Sequence, residues 1–207
     1  MLLPDNTPVK TDVMAHMKAV KVLLDRMDAG YSKTARGYGF QCDGCEDNCC
    51  ETLFHHHTLA EYLFLQSGFL NLAGDEKLDI RHLAASVQET TQKAGDRSIR
   101  IMCPLNRDGM CRLYAHRPMI CRLHGIPHEL NHPLRGKTTG EGCDDFDRQC
   151  GQSPSGPLDR TPFYREMAQV ESRLREGLCY RSRMKMTITH MILSWAPFAG
   201  TPQDKNE

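Results

Sequence analysis

The stretch Cys42-Asp43-Gly44-Cys45-Glu46-Asp47-Asn48-Cys49-Cys50 sets four cysteines within nine residues, and the rest of the chain is read outward from it. Cys42 and Cys45 bracket Asp43-Gly44, a C-x2-C unit in which a turn aims two thiolates at one ion. Cys49 and Cys50 are adjacent. Neighbouring side chains point to opposite sides of an extended chain and diverge by about a quarter turn on a helix, so this pair suits two metals or one polynuclear centre better than one tetrahedral ion.

A second run, Cys103-Pro104-Leu105-Asn106-Arg107-Asp108-Gly109-Met110-Cys111, continues through Tyr114, Arg117 and Pro118 to Cys121-Arg122, and Cys143 follows Gly142 as an outlier. Thiolates are soft, charged ligands that bind zinc, iron or an iron–sulfur cluster when a fold gathers them. These eight would close two four-coordinate sites, or one cluster and one mononuclear site. With His or Asp in some positions, a coordination place of the catalytic kind would stay open. Zinc and iron both accept four thiolates, and the spacing does not rank them.

The 207 residues carry 26 basic and 26 acidic side chains, so no field of either sign points to nucleic acid or an anionic membrane. Residues Met1 to Lys10 hold no basic segment followed by an apolar one, and no stretch approaches a membrane-spanning length. The expectation is a cytoplasmic protein whose partner is a metal ion, with a protein partner allowed and neither nucleic acid nor membrane. There, clustered thiols serve as ligands more often than as disulfides.

Periodicity predicts a helix over 12–29, capped by Asp12, with Val13, Met17, Val20, Leu24 and Met27 on one face and Gly30 as its stop. A connector, 31–39, leads to the cysteines. Thr58-Leu59-Ala60-Glu61 has the form of a capping box opening a helix to about Gly68, and another spans 79–93 with Gly95 as stop. Ser98–Met102 and Met110–Tyr114 read as strands around the turn Asn106–Gly109, a hairpin with Cys103 and Cys111 at its sides. Pro118 suits the start of a short helical turn bearing Cys121, and 125–158 reads as irregular. Thr161-Pro162 reads as N-cap and N1 of a helix to Gly177, followed by a short element over 187–195. The expected fold is mainly α with a small β-hairpin, one domain organised around a cysteine-ligated metal region. Its parts are 1–39 (helix and connector), 40–150 (cysteine cluster), 151–199 (C-terminal helices) and 200–207 (flexible tail).

Arg112, Arg117 and Arg122 read either as donors around an anionic metal site or as surface residues paired with carboxylates. His55, His56 and His57 read as the lead-in to a helix. His124, His128 and His132 read as loop residues, because Pro127 and Pro133 break the helix that would align them. His116, Asp43, Asp47, Asp144 and Asp145 default to solvated positions, and the methionines to core packing. Cys150 reads as a loop residue and Cys179 as a buried or free thiol. No phosphate loop, nucleophile elbow or HExxH motif is present.

Phe40-x-Cys42-x-x-Cys45-x-x-x-Cys49-Cys50, Cys103-Pro104-Leu105, Gly109-x-Cys111-x-x-Tyr114, Arg117-Pro118-x-x-Cys121-Arg122 and Gly142-Cys143 together resemble the YkgJ-type cysteine-cluster proteins, a domain named for chelating zinc or iron. The resemblance covers about Phe40 to Cys143. It implies Cys42, Cys45, Cys49, Cys50, Cys103, Cys111, Cys121 and Cys143 as the metal ligands. A longer protein with a similar cysteine pattern, flagellin lysine-N-methylase, implies an alternative: a metalloenzyme acting on protein side chains. The leading expectation is a metal-binding protein, its ion structural, carried as cargo or redox-active; a zinc-pinned interaction module is the third.

Overall fold

The capping box opens the helix around which the molecule is built. In the computed structural model, which describes residues 1–9, 13–42, 49–95, 97–150 and 156–195, this helix, α2 (Leu59–Leu70), is apolar on nearly every side. Leu59, Ala60, Tyr62, Leu63 and Leu65 are fully buried, the fate of a helix with no polar face. Thr58 Oγ1 accepts from the Glu61 N–H at 3.2 Å, as the box requires. A second carboxylate, Glu171 of α6 (Thr161–Gly177), accepts from the Leu59 and Ala60 N–H groups, each at 2.8 Å. The first turn of α2 is thereby satisfied from two directions.

Around α2 lie α1 (Met14–Tyr38), α3 (Gly74–Ala94), α4 (Met119–Leu123), α5 (Asp144–Cys150) and α7 (Ile188–Ser194). The chain is mainly helical, as expected. α1 packs against α2, α4 and α6, and α3 against α7. One apolar core runs from Leu3 through Leu24, Leu63 and Ile80 to Leu174 and Trp195. Met17, Met27, Met167, Met184 and Met191 are buried in it, so core packing does account for these methionines.

α1 overruns its predicted stop and takes up the expected connector. Gly30 lies inside it, where an added Cβ would come within 3.0 Å of the Phe163 ring of α6. That glycine serves close helix packing, and the left-handed stop is Gly39 at φ +74°. Asp12 lies outside the described residues. α3 starts five residues earlier than expected, at Gly74 rather than Asp79, and ends at Gly95 as read. In α6, Arg160 is the N-cap, so Thr161 and Pro162 each sit one position further in than expected.

The cysteine hairpin is smaller than predicted. β1 (Asn106–Arg107) and β2 (Met110–Cys111) pair antiparallel across Asp108-Gly109, both at positive φ (+52° and +82°). This is the geometry an Asp-Gly two-residue turn favours. Ser98–Met102 forms no strand, because its neighbour across the gap is a helical turn with only two carbonyls to offer. Within 125–150 and 156–158 regular elements form where a mostly irregular segment was expected. β3 (His128–His132) and β4 (Gly136–Gly140) form a second hairpin, β5 (Leu158–Asp159) joins β3 in parallel, and α5 follows β4. The expected tail, 200–207, lies outside the described residues.

Candidate functional site

The site begins where two segments run side by side. Cys49–Glu51 make one 3-10 turn. The Cys50 carbonyl accepts from the Cys103 N–H at 2.9 Å, and the Glu51 carbonyl from the Ile101 N–H at 3.0 Å. Beyond Cys103 the chain turns, the Asn106 N–H donating to the Cys103 carbonyl at 2.9 Å, and the β1–β2 hairpin brings Cys111 back. Cys121 arrives on α4, whose start at Pro118 is as expected. Its first N–H, on Met119, donates to Glu61 Oε1 at 2.8 Å. The same buried carboxylate accepts from the Thr58 hydroxyl at 2.5 Å, so it caps α4, the element that carries Cys121, and ties it to the N-cap of α2.

These segments enclose a cavity of about 490 Å³, and Cys42, Cys49, Cys50, Cys103, Cys111 and Cys121 all line it. Six of the eight expected ligands therefore share one wall. Cys45, with Asp43 and Asp47, lies outside the described residues. Cys143 does not line the cavity. Its N–H donates to the Gly125 carbonyl at 3.1 Å, and a Cβ on Gly125 (φ +103°) would sit 3.6 Å from the Cys143 sulfur and 3.4 Å from the Tyr31 hydroxyl. No disulfide joins any of the nine described cysteines. Among the described residues, no three Cys, His, Asp or Glu side chains converge tightly enough to hold an ion as they stand. The thiols surround a space without meeting at a point.

Electrostatics couples these thiols to one another. Burial pushes the Cys121 thiol well up and the Cys103 thiol to about 12, and Cys50, Cys103, Cys111 and Cys121 lie in one another's fields. Cys50 is the exception, lowered to about 6. The hydrogen bond its sulfur accepts from the Cys49 thiol outweighs its burial, with help from the Asn106 amide and Arg117. Asn106 Nδ2 forms no hydrogen bond, so its pull on Cys50 is that of a nearby dipole. Cys49 is raised correspondingly, first by that same bond. Tyr31 is raised by burial and then by Cys42, Cys143 and Cys49, and Cys49 in turn is raised by Cys50, Cys42 and Cys121.

The arginines brace this arrangement. Arg122, its side chain 2% exposed, donates to Asp28 of α1, to the Ala115 carbonyl at 2.6 Å and to the Arg117 carbonyl at 2.7 Å. Arg117 stacks over Tyr114, 3.5 Å from the ring centroid, and reaches Asp28 at 3.5 Å. Arg112 is held by Asp79 of α3 and by the Pro104 carbonyl. Burial raises the Cys111 thiol, and Arg117 and Arg112 oppose part of that rise. All three arginines pair with carboxylates, one of the two readings expected of them.

The remaining candidates resolve into structural positions. His56 is buried and pairs its backbone with Met186. His116 packs on Phe64 and His124 on Phe54. His128 and His132 belong to β3 rather than a loop. Asp144 and Asp145 start α5, and Asp145 pairs with Arg148. Cys150 ends α5 instead of lying in a loop, and Cys179 is a free, exposed thiol. Tyr31, Asp28 and Glu61 act at the site although no motif marks them. The only sequence hint was Glu61 in its capping box.

No protein-family model, no curated protein and no solved structure matches the chain. Among the described residues, no helix is long and apolar enough to cross a membrane.

Proposed function

We propose that the chain is a metal-binding protein that holds zinc or iron, the latter as an ion or an iron–sulfur cluster, through its clustered thiolates. The observation that carries this reading is the gathering of six cysteines from four separate segments on one cavity wall. The donor set fits such a group in number and softness. Thiols that keep their protons, first because they are buried and then because they lie in one another's fields, are also the groups a cation would deprotonate on binding. Cys50, Cys103, Cys111 and Cys121 would form one centre. Cys42, Cys45, Cys49 and Cys143 are the remaining ligands that the YkgJ-type resemblance implies.

The cavity itself favours a second reading, a metalloenzyme. A closed structural zinc site needs no space beside it, and this one has room for a small molecule. The likeness to the lysine methylase stays an analogy for substrate class.

Elemental analysis and an absorption spectrum on protein purified without oxygen test the proposal. Iron with broad charge-transfer bands indicates redox or iron-dependent chemistry. Zinc with a featureless spectrum indicates closed thiolate sites. Protein that carries neither, and takes up neither when reduced, overturns the reading.

A further inference from the structure

The thiols occupy only part of the cavity wall. Leu53, Phe54, Leu65, Val87, Ile101 and Ile188 line another part, contributed by the 53–54 segment, α2, α3, the chain before Cys103 and α7. The charged residues among the lining are Asp108 and Arg117, and both come from the cysteine hairpin and the segment that follows it. The wall also includes His56, 2% exposed, whose Nε2 is buried without a hydrogen-bond partner. His56 is acted on by burial and by His55 and His57, with no thiol among its influences. Its backbone is fixed by the reciprocal bonds to Met186, at 2.8 and 3.0 Å, so the ring is not placed by chance packing of a loose loop.

A buried ring nitrogen without a partner forgoes the hydrogen bond it would make in water. Natural structures keep such a group where something else satisfies it. The cavity's volume falls in the range of sites for small organic ligands, apolar in the main with few polar groups.

We propose that this apolar part is a binding site for a neutral, largely apolar small organic molecule carrying one hydrogen-bonding group, which pairs with the His56 imidazole. Net charge on the ligand is disfavoured because the apolar part offers no counter-charge. The proposal rests on the wall residues and stands apart from the identity, or presence, of a metal.

The test compares 2-naphthol with naphthalene, which has the same rings without the hydroxyl, by titration into the full chain as purified. Expected is one site per chain and about tenfold tighter binding of 2-naphthol, the ratio one hydrogen bond of about 1.4 kcal/mol gives. His56→Phe should bring the two affinities together. In the unaltered protein, the His56 ring nitrogen resonances should shift with 2-naphthol and stay still with naphthalene, a readout independent of how the variant folds. Val87→Trp should exclude both compounds. Failure of either compound to bind, equal affinities, or ring resonances indifferent to 2-naphthol would overturn the proposal, whatever the elemental analysis gives.

Discussion

Replacing Asp28 by alanine should loosen the helix that carries Cys121 and lower stability. Arg122 is buried, and its guanidinium is held by Asp28 and by the Ala115 and Arg117 carbonyls. Removing one partner of a buried ion pair costs about 3–5 kcal/mol, because the remaining charge loses its compensation. Asp28 is 39% exposed, so water replaces part of what it supplies, and screening trims the expected loss to about 2 kcal/mol. In a chain of this length each kcal/mol moves Tm by about 2–4 °C, which puts Asp28→Ala about 4–8 °C below the parent. Arg122→Met should cost less when Asp28 is already alanine, since it then removes an uncompensated charge. Thermal melts of the four proteins in this cycle measure the coupling. Alkylation of Cys121, followed by mass spectrometry, should accelerate in Asp28→Ala as α4 detaches from α1. A loss under about 0.5 kcal/mol, or no coupling between the substitutions, would refute the claim that this pair locks the site.

Acid should destabilise the fold through His56. Its pKa is about 4 in the folded chain against 6.5 for the free side chain, with burial the main cause. Above pH 6.5 both states are neutral and the term vanishes. As pH falls toward 4 the unfolded chain takes a proton that the folded one refuses, and stability drops by about 3 kcal/mol in all. Urea unfolding across that range measures the slope, and a slope unchanged by His56→Phe would assign it to other groups. Thr58→Ala should cost about 1 kcal/mol, most of it restored by serine, as the α2 N-cap loses its acceptor. If metal is bound as proposed, stripping it should leave 40–123 open to proteases and lower Tm. An unchanged melt and digestion pattern would show that these segments hold themselves together without it.

Where the sequence spoke locally, it was readable. The box at Thr58, the stop at Gly95 and the Asp-Gly turn each depend on residues within one or two turns of chain, and each is present. Gly30 misled because its reason is the ring of Phe163, more than a hundred positions away. The alternation over Ser98–Met102 suggested a strand, yet a strand needs a partner edge, and Cys49–Glu51 turns away as a helical segment. The strands β3 and β4 were hidden behind their polarity: neither has a fully buried residue, and β5 joins β3 from beyond α5. Clustered spacing pointed to the six cysteines that line the cavity. It could not point to Asp28, Tyr31 and Glu61, since each acts on the site through a contact made only after α1 and α2 have packed against α4 and its flanking loops.

The adjacent cysteines connect these layers. A 3-10 turn at Cys49–Glu51 makes two neighbouring side chains diverge, and their surroundings differ accordingly. Cys50 falls among Cys103, Cys111 and the Arg117 guanidinium; Cys49 falls toward Cys42 and the hydroxyl of Tyr31. The two thiols nonetheless titrate against each other, Cys50 lowered and Cys49 raised, so the charge state of one is felt by the other. Adjacency therefore does more than supply an extra thiol: it couples two cysteines whose other neighbours differ, while Cys121 lies in the fields of both.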